Sequence, residues 1–331
     1  MEMLIRRAQG CLLGQLAGDS LGSLVEFKQP EEIRRLYPQG VRDLADGGVW
    51  GTLAGQPTDD SEMALALARM LVERGCYIPD AAMKAYTGWK QSGPFDCGMT
   101  IASALCGQPD PVSQSNGALM RVSPLGIFGA RHALADVAQW AAQDAALTHP
   151  HIICRQANAL YSVAIAHAIR TGPTPLELYE KIVSLAESMN VEQALLATIQ
   201  DAADHRPHDF CTQQGWVLIA FQNALWQLLY APNLEEGVVD TVMRGGDTDT
   251  TAAVCGALLG AVYGLDAIPD RWVKAIVNCR PQAGMPGVRR PRPEHFWPVD
   301  ALNLAEKLAS LGIVGAAAKG AFSPKLYSPY N

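Results

Sequence analysis

Two short stretches hold more oxygen ligands than a helix start needs. Thr58-Asp59-Asp60 stands before the helical run SEMALALARML, and Gly245-Gly246-Asp247-Thr248-Asp249-Thr250 stands before TAAVCGALLGAV. Asp and Thr are favoured N-caps, and acids in a first turn complement the helix dipole, so either stretch alone is read first as a cap. A cap uses one oxygen, however, whereas these offer three or four. Adjacent carboxylates repel unless a positive charge lies between them. The Gly-Gly pair reads as added flexibility rather than stability. Taken together, the two stretches predict one oxygen-only cation site, whose hard ligands select Mg2+ or Mn2+ over zinc. In the D-x-D turn, Asp247 and Asp249 can converge and bridge two ions. An EF-hand does not fit, because the loop after Asp247 lacks the sixth-position glycine and the closing glutamate.

Other residues admit two readings each. Gly18-Asp19-Ser20-Leu21-Gly22 satisfies G-x-S-x-G, but a nucleophile elbow needs a strand before it, and residues 4–18 have helical spacing. His149-Pro150-His151 either ligates a metal or opens a helix. Ser115-Asn116-Gly117 begins a small-residue segment ending at Arg121, which either caps a helix or lets backbone approach a ligand. Phe95-Asp96-Cys97-Gly98 sets an aromatic face beside a carboxylate, or simply turns. Glu26, in VEF, alone reads as a surface acid. No G-x-x-x-x-G-K-[ST] loop supports nucleotide hydrolysis.

The elements that must position these residues read as helices throughout. Segments 61–75, 131–146, 152–170, 175–187, 215–230, 251–263 and 299–311 are Ala/Leu-rich and of helix length, and alternating β-branched runs are nearly absent. The prediction is an all-α fold, one compact domain over 1–331, with 281–331 as a C-terminal strap, helix and tail. Glycines at 10, 14, 18 and 22, and again at 256, 260 and 264, make bare helix stripes. They predict close helix packing, which can bring site elements together. The 331 residues are 49% apolar and 18% charged, with 26 basic against 33 acidic side chains and a net charge of −7. That balance speaks against a nucleic-acid reader. No run reaches the length of a membrane span. The Arg6-Arg7 start imitates a signal peptide, but glycines, Gln15 and Asp19 interrupt its apolar core. Eight scattered cysteines, none in C-x-x-C, point to a reducing cytoplasm.

In order along the chain, GCLLGQLAGDSLGSLVEF, QPTDDSEMAL, GPFDCG, SNGALMRVSPLGIF, LTHPH and GGDTDTTAAVCGALLGAVYG together resemble the ADP-ribosylglycohydrolase family, over roughly residues 5–280. The GPFDCG segment is similar to the bacterial dinitrogenase-reductase-activating type. The resemblance implies an all-α orthogonal bundle with a binuclear Mg2+ or Mn2+ centre between helix N-termini. It implies metal ligation by Thr58, Asp59, Asp60, Asp247, Asp249 and Thr250, and a role for Glu26 closing over the metals or touching substrate. Asp96 takes the position of an acid beside the scissile bond. Ser115, Asn116, Gly117 and His149 take positions lining an ADP-ribose cleft, with Phe95 beside it. Trp216 stands where relatives often carry Tyr, which keeps a stacking face and loses a hydroxyl. The implied activity is metal-dependent hydrolysis of ADP-ribosyl-arginine on modified proteins, with ADP-ribose as product and Asp59, Asp60 or Asp247 as base. Alternatives are another linkage, ADP-ribosyl-serine or O-acetyl-ADP-ribose, and an inactive ADP-ribose-binding relative.

Overall fold

The computed structural model describes residues 1–311. Along them run α1 (Glu2–Gly22), α2 (Pro30–Leu36), α3 (Asp59–Arg74), α4 (Pro79–Gln91), α5 (Met99–Leu105), α6 (Ser123–Gly129), α7 (Leu134–Ala146) and α8 (Ile152–Thr171). There follow α9 (Pro175–Ser188), α10 (Gln193–Asp201), α11 (Val217–Tyr230), α12 (Leu234–Val242), α13 (Thr248–Tyr263), α14 (Asp270–Asn278) and α15 (Ala301–Ser310). A 3-10 helix covers Asn116–Arg121. Among the described residues, β pairing is confined to two isolated bridges, Gly47 with Thr52 and Ser115 with Trp216. The all-α expectation holds. Helical periodicity finds the long elements and misses α2, α4, α5, α6, α10, α12 and α14, which are 7 to 13 residues long. Two or three turns bury too few side chains for a period to stand out. No helix among the described residues is long and apolar enough to cross a membrane.

The core is organised on α1 and α13, which run antiparallel with their backbones in contact. A Cβ at Gly14 would lie 2.1 Å from the Gly256 carbonyl oxygen, and one at Gly18 would lie 2.1 Å from that of Ala252. At Gly260 the distance to the Gly10 oxygen would be 2.0 Å. The two stripes are therefore a seam that admits no side chain. At its far end the seam sets the last turn of α1 against the first turn of α13. There a Cβ at Gly22 would fall 2.4 Å from the backbone of Asp249, and the Thr248 hydroxyl donates to the Gly22 carbonyl at 2.7 Å. From α8, Tyr161 donates to the Val254 carbonyl at 2.7 Å and holds a third helix against the pair.

Residues 281–298 lie across α3, held by a buried ion pair. Arg292 grips Glu62 of α3 with two hydrogen bonds of 2.8 Å, and the Trp89 indole donates to the same carboxylate. Removing one partner of such a pair costs about 3–5 kcal/mol, because a buried charge is left alone. Residues Glu294–Phe296 and α15 both contact α3, and α15 also packs on α1, while the expected tail, 312–331, lies outside the described residues.

Candidate functional site

Both acidic helix starts begin earlier than the apolar pattern suggests: Asp59 and Asp60 are the first residues of α3, and Asp249 is the second of α13. Neither N-cap residue, Thr58 or Asp247, caps its helix with a side-chain hydrogen bond. For α3 that function belongs to Asp19, within α1. Its carboxylate accepts from the Thr58 and Ser61 backbone N–H groups, each at 3.1 Å, and from the Thr58 hydroxyl at 2.9 Å. Because the cap comes from another helix, Asp59 and Asp60 are free to serve elsewhere. Sequence reasoning met Asp19 inside a false elbow motif and as a break in the apolar start; a carboxylate in an otherwise apolar, glycine-spaced helix was the available signal. Ser20 is no nucleophile on show either. It is buried inside α1, and its hydroxyl oxygen accepts from the Gly55 N–H at 3.0 Å.

The Gly-Gly pair corrects the sequence reading. Gly245 and Gly246 both have φ of +74°, a region that favours glycine. A Cβ on Gly246 would meet the Phe210 carbonyl at 2.0 Å, and one on Gly245 would meet that of Lys28 at 2.5 Å. The turn is fixed rather than flexible. Gly246 accepts from Phe27 N–H at 2.8 Å and donates to the Lys28 carbonyl at 3.1 Å, which ties the segment after α1 to the start of α13. Phe27 takes a positive φ of 62° to complete the join. As a result, carboxylate oxygens of Glu26, Asp247 and Asp249 come within 4.8 Å of one another.

These acids face a cavity of about 340 Å³. Its lining includes Glu26, Asp59, Asp60, Asp96, Asp247, Asp249 and Thr250, together with Ser115, Asn116, Gly117 and His149. Asn116 joins the two groups, its amide donating to Asp247 at 2.7 Å. Thr58, Phe95 and Trp216 do not belong to this lining. Thr58 is buried behind it, its hydroxyl between Asp19 and Asp60 at 2.9 and 3.0 Å. Phe95 packs toward Trp50, with ring centroids 6.0 Å apart, and lies under the Arg290 guanidinium. Trp216 lines an adjoining groove, which shares Ser115, Gln214 and Gly215 with the cavity, and donates to the Gln114 side chain at 3.0 Å.

The electrostatics follow from crowding. Burial, then the charges of Asp96 and Asp247, push Glu26 up to about 8, even though the Trp50 indole donates to it at 2.5 Å. Burial, followed by neighbouring carboxylates, also raises Asp59, Asp60 and Asp249 well above the usual carboxylate range. Asp96 is raised mainly by burial. The lining offers these groups no lysine or arginine, and one oxygen of Asp60 is buried without any hydrogen-bond partner. A set of carboxylates, a threonine and an unpartnered oxygen fits a hard divalent cation. The geometry groups Glu26 with Asp247 and Asp249 in that set, the first of the two roles that the family resemblance implied for it.

The H-P-H element divides in two. His151 is the N-cap of α8, accepting from Ile153 N–H at 3.2 Å. His149 is buried; that burial and the nearby charge of Arg121 push its pKa down to about 3, so the ring is neutral. Its nitrogens meet Thr148 and Ser115, each at 2.8 Å. Both are therefore engaged by hydroxyls rather than open to a metal.

Comparison with known proteins agrees with this architecture. The family model for ADP-ribosylglycohydrolase matches residues 1–310. The chain is similar to the ADP-ribosyl-dinitrogen-reductase glycohydrolase of Rhodospirillum rubrum, at 30% identity over 82% of this chain and 90% of that protein. It is similar to the ADP-ribosylarginine hydrolase Tri1 of Pseudomonas putida, at 27% identity over 83% and 75%. It is also similar to the ADP-ribosylhydrolase ARH3 of Bos taurus, at 24% identity over 81% and 88%. A solved chain described as an ADP-ribosylglycohydrolase-related protein complex superposes with a TM-score of 0.75 and 27% identity, covering 95% of this chain and 100% of that one. The helical architecture and the family match over residues 1–310 together establish that the chain belongs to the ADP-ribosylglycohydrolase family.

Proposed function

We propose that the protein hydrolyses the bond between ADP-ribose and an arginine side chain of a modified protein. The observation that carries this reading is the convergence of six carboxylates on one cavity, which the Ser115–Gly117 segment and His149 also line. Thr58, Asp59 and Asp60, with Asp247, Asp249 and Thr250, are the residues that would hold two Mg2+ or Mn2+ ions, and Glu26 is placed to join them. Such ions, when bound, supply positive charge for the ribose hydroxyls and acidify a water.

The chain's own groups account for the rest. Ser115, Asn116 and Gly117 line the side of the cavity assigned to ADP-ribose. Asp59, Asp60 or Asp247 takes a proton from the attacking water as its oxygen bonds to ribose C1′. The C1′–N bond breaks through an oxocarbenium-like state, and its electron pair leaves on the guanidine nitrogen, which receives the proton. Asp96, also on the cavity lining, can accept two parallel hydrogen bonds from the guanidinium and orient it for departure. The name of the Pseudomonas putida relative supports arginine as the linkage. All eight cysteines are free thiols, which supports action in a reducing compartment such as the cytoplasm.

The test is incubation of the purified protein with peptides carrying ADP-ribose on arginine or on serine. Mg2+, Mn2+ or EDTA is added, and released ADP-ribose is read by mass spectrometry. Release from arginine, abolished by EDTA, is expected. Absence of release with either metal would overturn the proposal, and release from serine alone would reassign the linkage.

A further inference from the structure

Beside the cavity lies a fully buried polar chain to which the proposed reaction gives no role. Arg121 has no exposed surface and is held on three sides. Its Nε donates to Asp144 Oδ2 at 3.2 Å, Nη2 donates to the Asp144 carbonyl at 3.0 Å, and the guanidinium lies over the Tyr86 ring at 4.3 Å. Asp144 is itself fixed by the Tyr86 hydroxyl at 2.9 Å. The remaining Nη1 donates to Thr148 Oγ1 at 2.8 Å. That oxygen also stands 2.8 Å from His149 Nδ1, and His149 Nε2 stands 2.8 Å from Ser115 Oγ on the cavity wall.

Proton counting gives the chain a direction. A guanidinium only donates, so Thr148 accepts from Arg121. Among the described residues, the Thr148 hydroxyl has one other neighbour, His149 Nδ1. If Nδ1 carried the proton, the Thr148 O–H would be buried without an acceptor, a cost of about 1–3 kcal/mol. The arrangement that uses every proton has Thr148 donating to Nδ1 and Nε2–H donating to Ser115. Ser115 then accepts from the ring, and its own proton turns to Thr100 Oγ1 or Ser113 Oγ, 3.2 and 3.3 Å away, or to a ligand. Burial beside Arg121 also keeps the ring neutral. Gly117 leaves room for the ring, since a Cβ there would lie 3.1 Å from it.

We infer that Arg121 and Thr148 are positioning residues that hold His149 as the Nε2–H tautomer and so make Ser115 a directed hydrogen-bond donor to an acceptor oxygen of the bound ligand. The inference rests on the proposed function only in taking that ligand to be ADP-ribose. Four successive donors pointing the same way polarise one another, and the last points into the cavity.

The experiment uses the full chain with 15N-labelled histidine, the His149 signals being assigned by their loss in His149→Gln. At neutral pH the wild-type ring is expected protonated on Nε2 and bare on Nδ1. In Thr148→Val the Nδ1–H form becomes populated, and ADP-ribose, measured by calorimetry, binds about tenfold more weakly, the worth of one hydrogen bond. Thr148→Ser restores tautomer and affinity. Ser115→Ala loses affinity but keeps the tautomer. A wild-type ring protonated on Nδ1 or on both nitrogens overturns the inference, whether or not any variant folds. So does Thr148→Val with wild-type tautomer and affinity. If wild-type protein does not bind ADP-ribose, the fault lies with the proposed function, and the imidazole spectra still decide the relay.

Discussion

Asp19 shows how a residue away from the reacting atoms can govern those beside them. It supplies the α3 cap that Asp59 and Asp60 do not, and so leaves their oxygens to the cavity. Replacing Asp19 by Ala removes acceptors from two buried N–H groups, and a loss of about 1–3 kcal/mol of stability is expected in urea titration. Mn2+ binding, read by calorimetry, should weaken as well. Asp19→Asn, which keeps one acceptor oxygen, should recover much of both. Trp50 has a parallel role toward Glu26 through its 2.5 Å hydrogen bond. Trp50→Phe keeps the ring and removes the donor, so Mn2+ affinity is expected to fall about tenfold, as for a hydrogen bond to a charged group. Wild-type Mn2+ affinity in Trp50→Phe would show that Glu26 needs no such partner. Asp59, Asp60, Asp247 and Asp249 were legible in the sequence because acids at helix starts form a local pattern. Asp19 and Trp50 were not recognisable as partners, and Glu26 only through the family resemblance, because their meeting depends on a turn at Phe27 and on loops distant in the chain.

At the scale of elements, the α1–α13 seam decides where the site forms. The glycine spacing was readable and correctly predicted close helix packing, but its partner was not, since bare stripes carry no address. Gly14→Ala would drive a methyl into the Gly256 carbonyl, and overpacking of this kind costs about 1–3 kcal/mol or more. The denaturation midpoint should fall, and Mn2+ affinity with it, because Asp249 moves relative to Asp60. Gly88→Ala is the control. It sits on an exposed turn of α4 with open space at its Cβ, and it should gain about 0.5–1 kcal/mol by helix propensity. If both variants melt alike, the seam is not what sets stability. The apolar period located α8 and α13 well, yet placed the starts of α3 and α13 too late, because the acids in their first turns look like loop to a pattern of apolar residues.

For the whole molecule, the net charge of −7 is partly concentrated in one place. Glu26, raised to about 8, and the raised aspartates around it bind protons more tightly folded than unfolded. Stability of the metal-free protein therefore falls as pH rises from the ordinary carboxylate range through about 8. Melting curves in EDTA should show this slope between about pH 5 and about pH 8, the interval between ordinary and shifted carboxylates. Mg2+ or Mn2+ should raise the midpoint more at the upper end, where the carboxylates are charged. A flat profile would mean that the cavity acids are relaxed in solution. The seam has a further consequence, one of time. It joins residues 10–22 to 249–260, so during synthesis α1 waits for α13 before its bare face is covered. At about 5–20 residues per second that interval is on the order of tens of seconds. Through it the nascent chain holds Asp19 and Glu26 with no Asp249 to meet them. The candidate ion site, and any activity that depends on it, therefore forms only once synthesis has passed α13.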